Sequence, residues 1–178
     1  MAIFQAFRAL RPVPDKAEAV AALPYDVVSR EEAKEIGDQN PDSFLHVDRA
    51  EIDLPADTDL YDQKVYDRAR ENLINMEKTG LLVQDGAPCY YIYELTRKGK
   101  TQTGLVGCCS IDDYMNGVVK KHELTREDKE QDRIHHVDVC DANTGPIYLA
   151  CKYPQELLDL METWKASHDA VYDFVAED

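Results

Sequence analysis

Residues 118–140 read VVKKHELTREDKEQDRIHHVDVC, and how this stretch folds decides how the rest of the chain is arranged. Two β-branched residues, Val118 and Val119, predict the end of a strand, and the turn at Asn116-Gly117 lies just before them. Thr125 and Asp128 have the spacing of a capping box, which predicts a helix over 126–140. On that helix Thr125, Lys129, Asp132, Arg133 and His136 share one stripe, because their offsets are all sums of three and four. His122 and Glu123 stand at its entrance. A helix N-terminus favours anions, Lys129 and Arg133 can add charge-assisted contacts, and Glu123 can serve as a general base toward a hydroxyl. A solvated helix face of mutually paired charges accounts for the same pattern, and residue spacing alone favours it.

Outward from this stretch, the strongest helical signal is upstream. Tyr61, Val65, Ala69, Leu73 and Met76 draw an apolar stripe over 60–79, with Thr58 as a cap and Gly80 as terminator. Between it and the charged helix, 88–95 and 101–111 predict an antiparallel hairpin turning at Arg97-Lys-Gly-Lys100. Before it, 3–7 predicts a short strand. Ser29 and Glu32 predict a capped helix over 31–36 that stops at Gly37, and 44–47 predicts a strand. The acidic segment 51–59 reads as a loop. After the charged helix, 147–153 predicts a strand, Pro154 opens a helix carrying Leu157, Leu158, Met161 and Trp164, and 170–175 alternates like a final strand. These elements predict an α+β fold, a mixed β-sheet with flanking helices, in one domain over 1–178. A chain that ends within an alternating segment suggests the N-terminal part of a longer protein.

Composition narrows the function classes. With 20 basic against 35 acidic residues, the formal charge of -15 repels nucleic acid and anionic membrane surfaces. No apolar run has the length of a signal peptide or a membrane span, which predicts a cytoplasmic protein. Five cysteines without paired spacing, Cys89, Cys108, Cys109, Cys140 and Cys151, predict reduced thiols packed as small hydrophobes. His122, His135, His136 and Cys140 cluster in sequence, but Arg126 stands where an HExxH motif needs its second histidine, so no metal site is expected. Tyr25 and Asp26, in the turn LPYD, can line a pocket, although a buried tyrosine with a satisfied hydroxyl accounts equally for Tyr25.

LPYDVVSREEA (23–33), NPDSFLHVDR (40–49), GLLVQDGAPCYYIY (80–93) and KHELTREDKEQDR (121–133), taken in order, resemble the domain-of-unknown-function family 1015. That family is similar to the ParB/sulfiredoxin-like group that includes free-serine kinases. In those kinases a His-Glu-Thr-like segment supplies the catalytic glutamate, and a downstream Asp-Gly-His-His-Arg-like segment grips the nucleotide phosphates. The first segment is matched by His122, Glu123 and Thr125, with Leu124 as an extra residue; the second is absent, since His135-His136 lacks the preceding Asp-Gly. The resemblance implies Glu123 as the base that deprotonates a serine-like hydroxyl, with His122, Thr125, Lys129, Arg133, Tyr25 and Asp26 as ligand contacts. It implies ADP or ATP with Mg²⁺ as cofactors in the full-length protein, none held tightly by these residues alone, and L-serine as a substrate type. It further implies that the phosphate-gripping half lies beyond Asp178, leaving these residues inactive by themselves. The alternative carried by the same relatives is a non-catalytic nucleotide-sensing or protein-interaction module.

Overall fold

The computed structural model describes residues 2–121 and 126–176. In chain order its elements are β1 Phe4–Gln5, β2 Leu10–Pro12, α1 Ala17–Val20, α2 Arg30–Gln39, α3 Leu45–Asp48, a 3-10 turn Ala50–Asp53, α4 Gln63–Lys78, β3 Leu82–Gln84, β4 Tyr91–Arg97, β5 Lys100–Val106, β6 Cys108–Cys109, α5 Ile111–Met115, α6 Glu127–Cys140 and α7 Gln155–Ser167. The fold is α+β. In place of one mixed sheet there are three two-stranded pairings, β1 with β6, β2 with β3 and β4 with β5. No helix among the described residues is long and apolar enough to cross a membrane. The chain forms two compact units, one from 1–11, 84–124 and 153–169, the other from 12–83, 125–152 and 170–178.

The first unit is built on the hairpin. β4 and β5 pair antiparallel from Tyr91 with Val106 to Arg97 with Lys100. The two residues left over, Lys98 and Gly99, both have positive φ, 51° and 74°, the requirement of a tight hairpin turn whose twist matches the strands. Gly107 then breaks the strand. A Cβ there would lie 2.6 Å from the Phe4 ring, so a glycine lets β6 approach β1, where Phe4 pairs with Cys109. Residues 118–119 are not a strand: the Val119 N–H donates to the Asp113 carbonyl and Lys121 Nζ lies 4.7 Å from the Tyr114 ring centre, folding the segment onto α5. α7 forms as expected behind Pro154 and buries Met161, while Trp164 remains 55% exposed.

The second unit holds the larger core. Ser29 and Glu32 form the full capping box, with the Ser29 hydroxyl accepting from the Glu32 N–H and the Glu32 carboxylate from the Ser29 N–H. The helix runs past Gly37 to Gln39, because Gly37 serves a different purpose. It is buried, and a Cβ there would stand 2.5 Å from Ile52 Cδ1 and 3.2 Å from the His46 ring, so the glycine allows close packing inside the helix. Residues 44–47 are a helical turn where a strand was expected. The Asn40 side chain donates to the Ala19 carbonyl and accepts from the Asp42 N–H, and Ser43 Oγ accepts from the Leu45 N–H, so local side-chain bonds bend the backbone. α4 begins at Gln63, capped by Asp62 and not Thr58; it buries Val65, Tyr66, Ala69, Leu73 and Met76, while Tyr61 precedes it and is exposed. Neither 147–153 nor 170–175 is a strand. Ile147 and Tyr148 are 75% and 78% exposed, and among the described residues no strand pairs with either segment, so extension gains them no ladder.

The thiols divide by environment. Cys140 is buried, as predicted, whereas Cys89, Cys108 and Cys151 are exposed.

Candidate functional site

The inward face of α6 carries the site. Lys129, Asp132 and Arg133 are half-buried and His136 and Cys140 are buried, while Ile134, Val137 and Asp138 face solvent. α6 thus turns its charged stripe toward the protein and leaves apolar residues outside, which is why an amphipathic reading by hydrophobicity misses its orientation. The Arg133 guanidinium lies 4.3 Å from the centre of the Tyr25 ring. Its Nε and Nη2 donate to Asp132 Oδ2 at 3.1 and 3.0 Å, and the Tyr66 hydroxyl donates to Asp132 Oδ1 at 2.8 Å. Burial, followed by the neighbouring Asp132 carboxylate, pushes the Tyr66 hydroxyl pKa well up, so it stays a donor. Lys129 Nζ lies 3.4 Å from the Tyr61 hydroxyl, on the same stripe.

The Tyr25 turn is held in place from below. Arg49 Nη1 donates to the carbonyls of Tyr25 and Val28 at 2.8 and 2.7 Å, while its Nε donates to the buried Glu51 at 2.6 Å. One guanidinium therefore fixes the carbonyls of the LPYDVV turn, so that the Tyr25 ring meets Arg133. Asp48, the preceding residue, reaches the same inward face of α6 one turn further on, with Oδ1 3.9 Å from His136 Nε2. Burial raises the Asp48 pKa, partly offset by a hydrogen bond with Thr144.

His136 is 3% exposed, and burial, followed by the Arg133 charge, holds its pKa down to about 4. It is neutral at physiological pH, so its proximity to Asp48 is not an ion pair. Cys140 Sγ shares a weak hydrogen bond with His136 Nε2 at 3.7 Å. Burial and then the Asp48 charge raise the thiol pKa, which keeps it protonated and unsuited to nucleophilic attack. His135, one residue away, bonds Gln63 Oε1 at 2.9 Å and meets the Tyr66 ring edge-on. Among the described residues no group of three or more His, Cys, Asp and Glu side chains is placed to hold a metal ion.

Of the residues singled out from sequence, Tyr25 and Arg133 come together and Lys129 shares their helix face. Asp26 is exposed and outside the network. His122, Glu123 and Thr125 lie outside the described residues. The N-cap of α6 is Arg126, one position beyond Thr125, and Arg126 makes no side-chain cap; Asp128 instead pairs with Arg126 at 2.7 Å. Glu127, Asp128 and Glu130 occupy the first turn, where they oppose an anion at the helix terminus. The cations of the α6 stripe, Lys129 and Arg133, lie along the inward face of the helix. Arg49, Asp48 and Tyr66 were not singled out; the only sequence signal for the first two is a charged pair directly after an apolar run in FLHVDR.

No curated protein and no solved structure matches the chain. Three of the four quoted motifs, 23–33, 40–49 and 121–133, contribute to the site and are joined through Arg49 and Arg133, while Tyr66 and His136 come from outside them. A family described as proteins of unknown function, DUF1015, matches over residues 4–178, and the chain belongs to that family.

Proposed function

We propose that the chain carries part of a nucleotide-dependent kinase site for a small hydroxyl substrate of serine type, with Arg133 as phosphate partner and Glu123 as general base. The observation that carries this reading is the state of Arg133. It is stacked on Tyr25 and fixed through two nitrogens by Asp132, while its Nη1 makes no hydrogen bond among the described residues. A guanidinium already oriented, with donor capacity to spare, is suited to a phosphate oxygen. Lys129 adds a second cation on the same face.

A nucleotide fits this donor set through its phosphates. Mg²⁺ fits only as an ion carried by the phosphates, since the described residues offer no carboxylate cluster for it. The nucleotide, when bound, supplies the phosphoryl group and the metal spreads its charge. The chain's own residues do the rest. Glu123 takes the proton of the substrate hydroxyl, Arg133 and Lys129 offset the phosphate charge, and Tyr25 holds the plane of the guanidinium in orientation. His122, Thr125 and Asp26 are the remaining contacts in this reading.

The test is phosphoserine formation by the full-length protein with L-serine, Mg²⁺ and ADP or ATP. Glu123→Gln is expected to abolish turnover, and Arg133→Gln to reduce it on the order of a hundredfold. Equal turnover by Glu123→Gln removes the base role. Nucleotide binding without phosphoserine selects the non-catalytic sensing module, and no binding at all refutes both.

A further inference from the structure

His46 lies on the far side of α3 from the Tyr25–Arg133 pair. Both of its ring nitrogens face acceptors: Nδ1 is 2.8 Å from Asp53 Oδ1 and Nε2 is 3.2 Å from the Gly37 carbonyl. A neutral imidazole has one N–H and satisfies one such partner; an imidazolium satisfies both. The partners come from different elements, Gly37 from α2 and Asp53 from the 3-10 turn. From α4, Asn72 Nδ2 donates both to the His46 carbonyl and to Asp53 Oδ2, at 2.6 and 2.7 Å. The ring is thus the hub of a junction that spans four elements.

We propose that His46 is a proton-operated latch: as an imidazolium it ties α2, α3, the 3-10 turn and α4 together, and its deprotonation loosens the α3 turn that leads into Arg49, the residue that holds the Tyr25 turn against Arg133. The inference does not depend on phosphotransfer. Proton exchange has a route, because a cleft lined by Asp42, His46, Asp53, Asn72, Asn75 and Thr79 opens to solvent beside the ring. The charged groups facing the latch are Asp53 directly, with Arg68 of α4 acting on Asp53, and Asp42 across the cleft, which is paired with Lys16 at 2.9 Å; the α2 end contributes the backbone carbonyls of Gly37 and Asn40.

The electrostatics agree in sign. The hydrogen bond to Asp53 raises the His46 pKa, against desolvation, and the His46 and Asn72 bonds lower that of Asp53. A raised histidine pKa contributes stability that is complete below the unfolded value of about 6.5 and is lost as pH rises through the folded value.

The deciding measurement is an NMR titration of the imidazole nitrogens and the Tyr25 ring in the intact chain. The expected result is a His46 midpoint above that of a free histidine, with both ring nitrogens protonated below it, and Tyr25 resonances that follow the same midpoint. Asp53→Asn, which keeps an acceptor but removes the charge, is expected to lower the midpoint. A His46 midpoint at or below the free value overturns the latch. Tyr25 resonances indifferent to the His46 midpoint overturn its link to the site. Should Asp53→Asn not fold, the wild-type titration alone decides.

Discussion

Arg49→Met tests whether the site is organised from beneath. The substitution keeps the length of an apolar stem but removes the charge that binds Glu51 and the two turn carbonyls. The Arg49 and Glu51 side chains are only 14% and 6% exposed, so water can do little to rescue the carboxylate left behind. Removing one partner of a buried pair costs about 3–5 kcal/mol, most of it the penalty of the orphaned charge. The carbonyls of Tyr25 and Val28 belong to a half-buried turn that water can reach, so losing their donor adds about 1 kcal/mol. The expected total is about 5 kcal/mol, a large part of the stability of an ordinary domain. The double variant Arg49→Met/Glu51→Gln removes the orphaned charge and is expected to recover more than half of the loss. Urea unfolding followed by far-ultraviolet circular dichroism reads both values, because most of the helix lies in the unit concerned. A single-variant loss below about 1 kcal/mol, or a double variant no better than the single, would refute the reasoning.

Gly37→Ala should destabilise by about 1–2 kcal/mol, the cost of crowding Ile52 and the His46 ring less the gain of alanine in a helix; a gain in thermal stability would show that the approach is not close. His136 binds its proton less readily folded than unfolded, so its contribution is complete above about pH 6.5 and is lost as pH falls toward about 4. That loss is roughly 3 kcal/mol, partly offset by the raised pKa of Asp48, which acts in the opposite direction. Acid unfolding of His136→Gln, compared with wild type, should be flatter across this window, and superimposable curves would count against it. Arg133→Gln should weaken pyrophosphate binding about tenfold in calorimetry; undiminished binding would remove Arg133 from the anion site.

What could be read from sequence was whatever local chemistry decides. The Ser29–Glu32 box, the Lys98-Gly99 turn and the α4 stripe all work within a few residues of themselves, and each formed. Residues 44–47 and 147–153 failed for opposite reasons. The first is too short for its periodicity to outweigh the turn bonds of Asn40 and Ser43; the second has strand composition but no partner strand. The site divides in the same way. Tyr25, Lys129 and Arg133 stood out by residue type and spacing. Arg49 did not, because its importance lies in two carbonyls twenty or more positions upstream that only the tertiary fold brings within reach.

The single turn of α3 sits between two imidazoles with opposite requirements. On one side His136, buried beside Asp48 and Arg133, resists taking a charge; on the other, His46 satisfies Asp53 and Gly37 only while it is charged. Acidification spoils the first arrangement and alkalinisation the second. The junction therefore behaves as a band-pass filter for protons, holding the tyrosine–arginine pair in register over an interior range of pH and relaxing it toward either extreme.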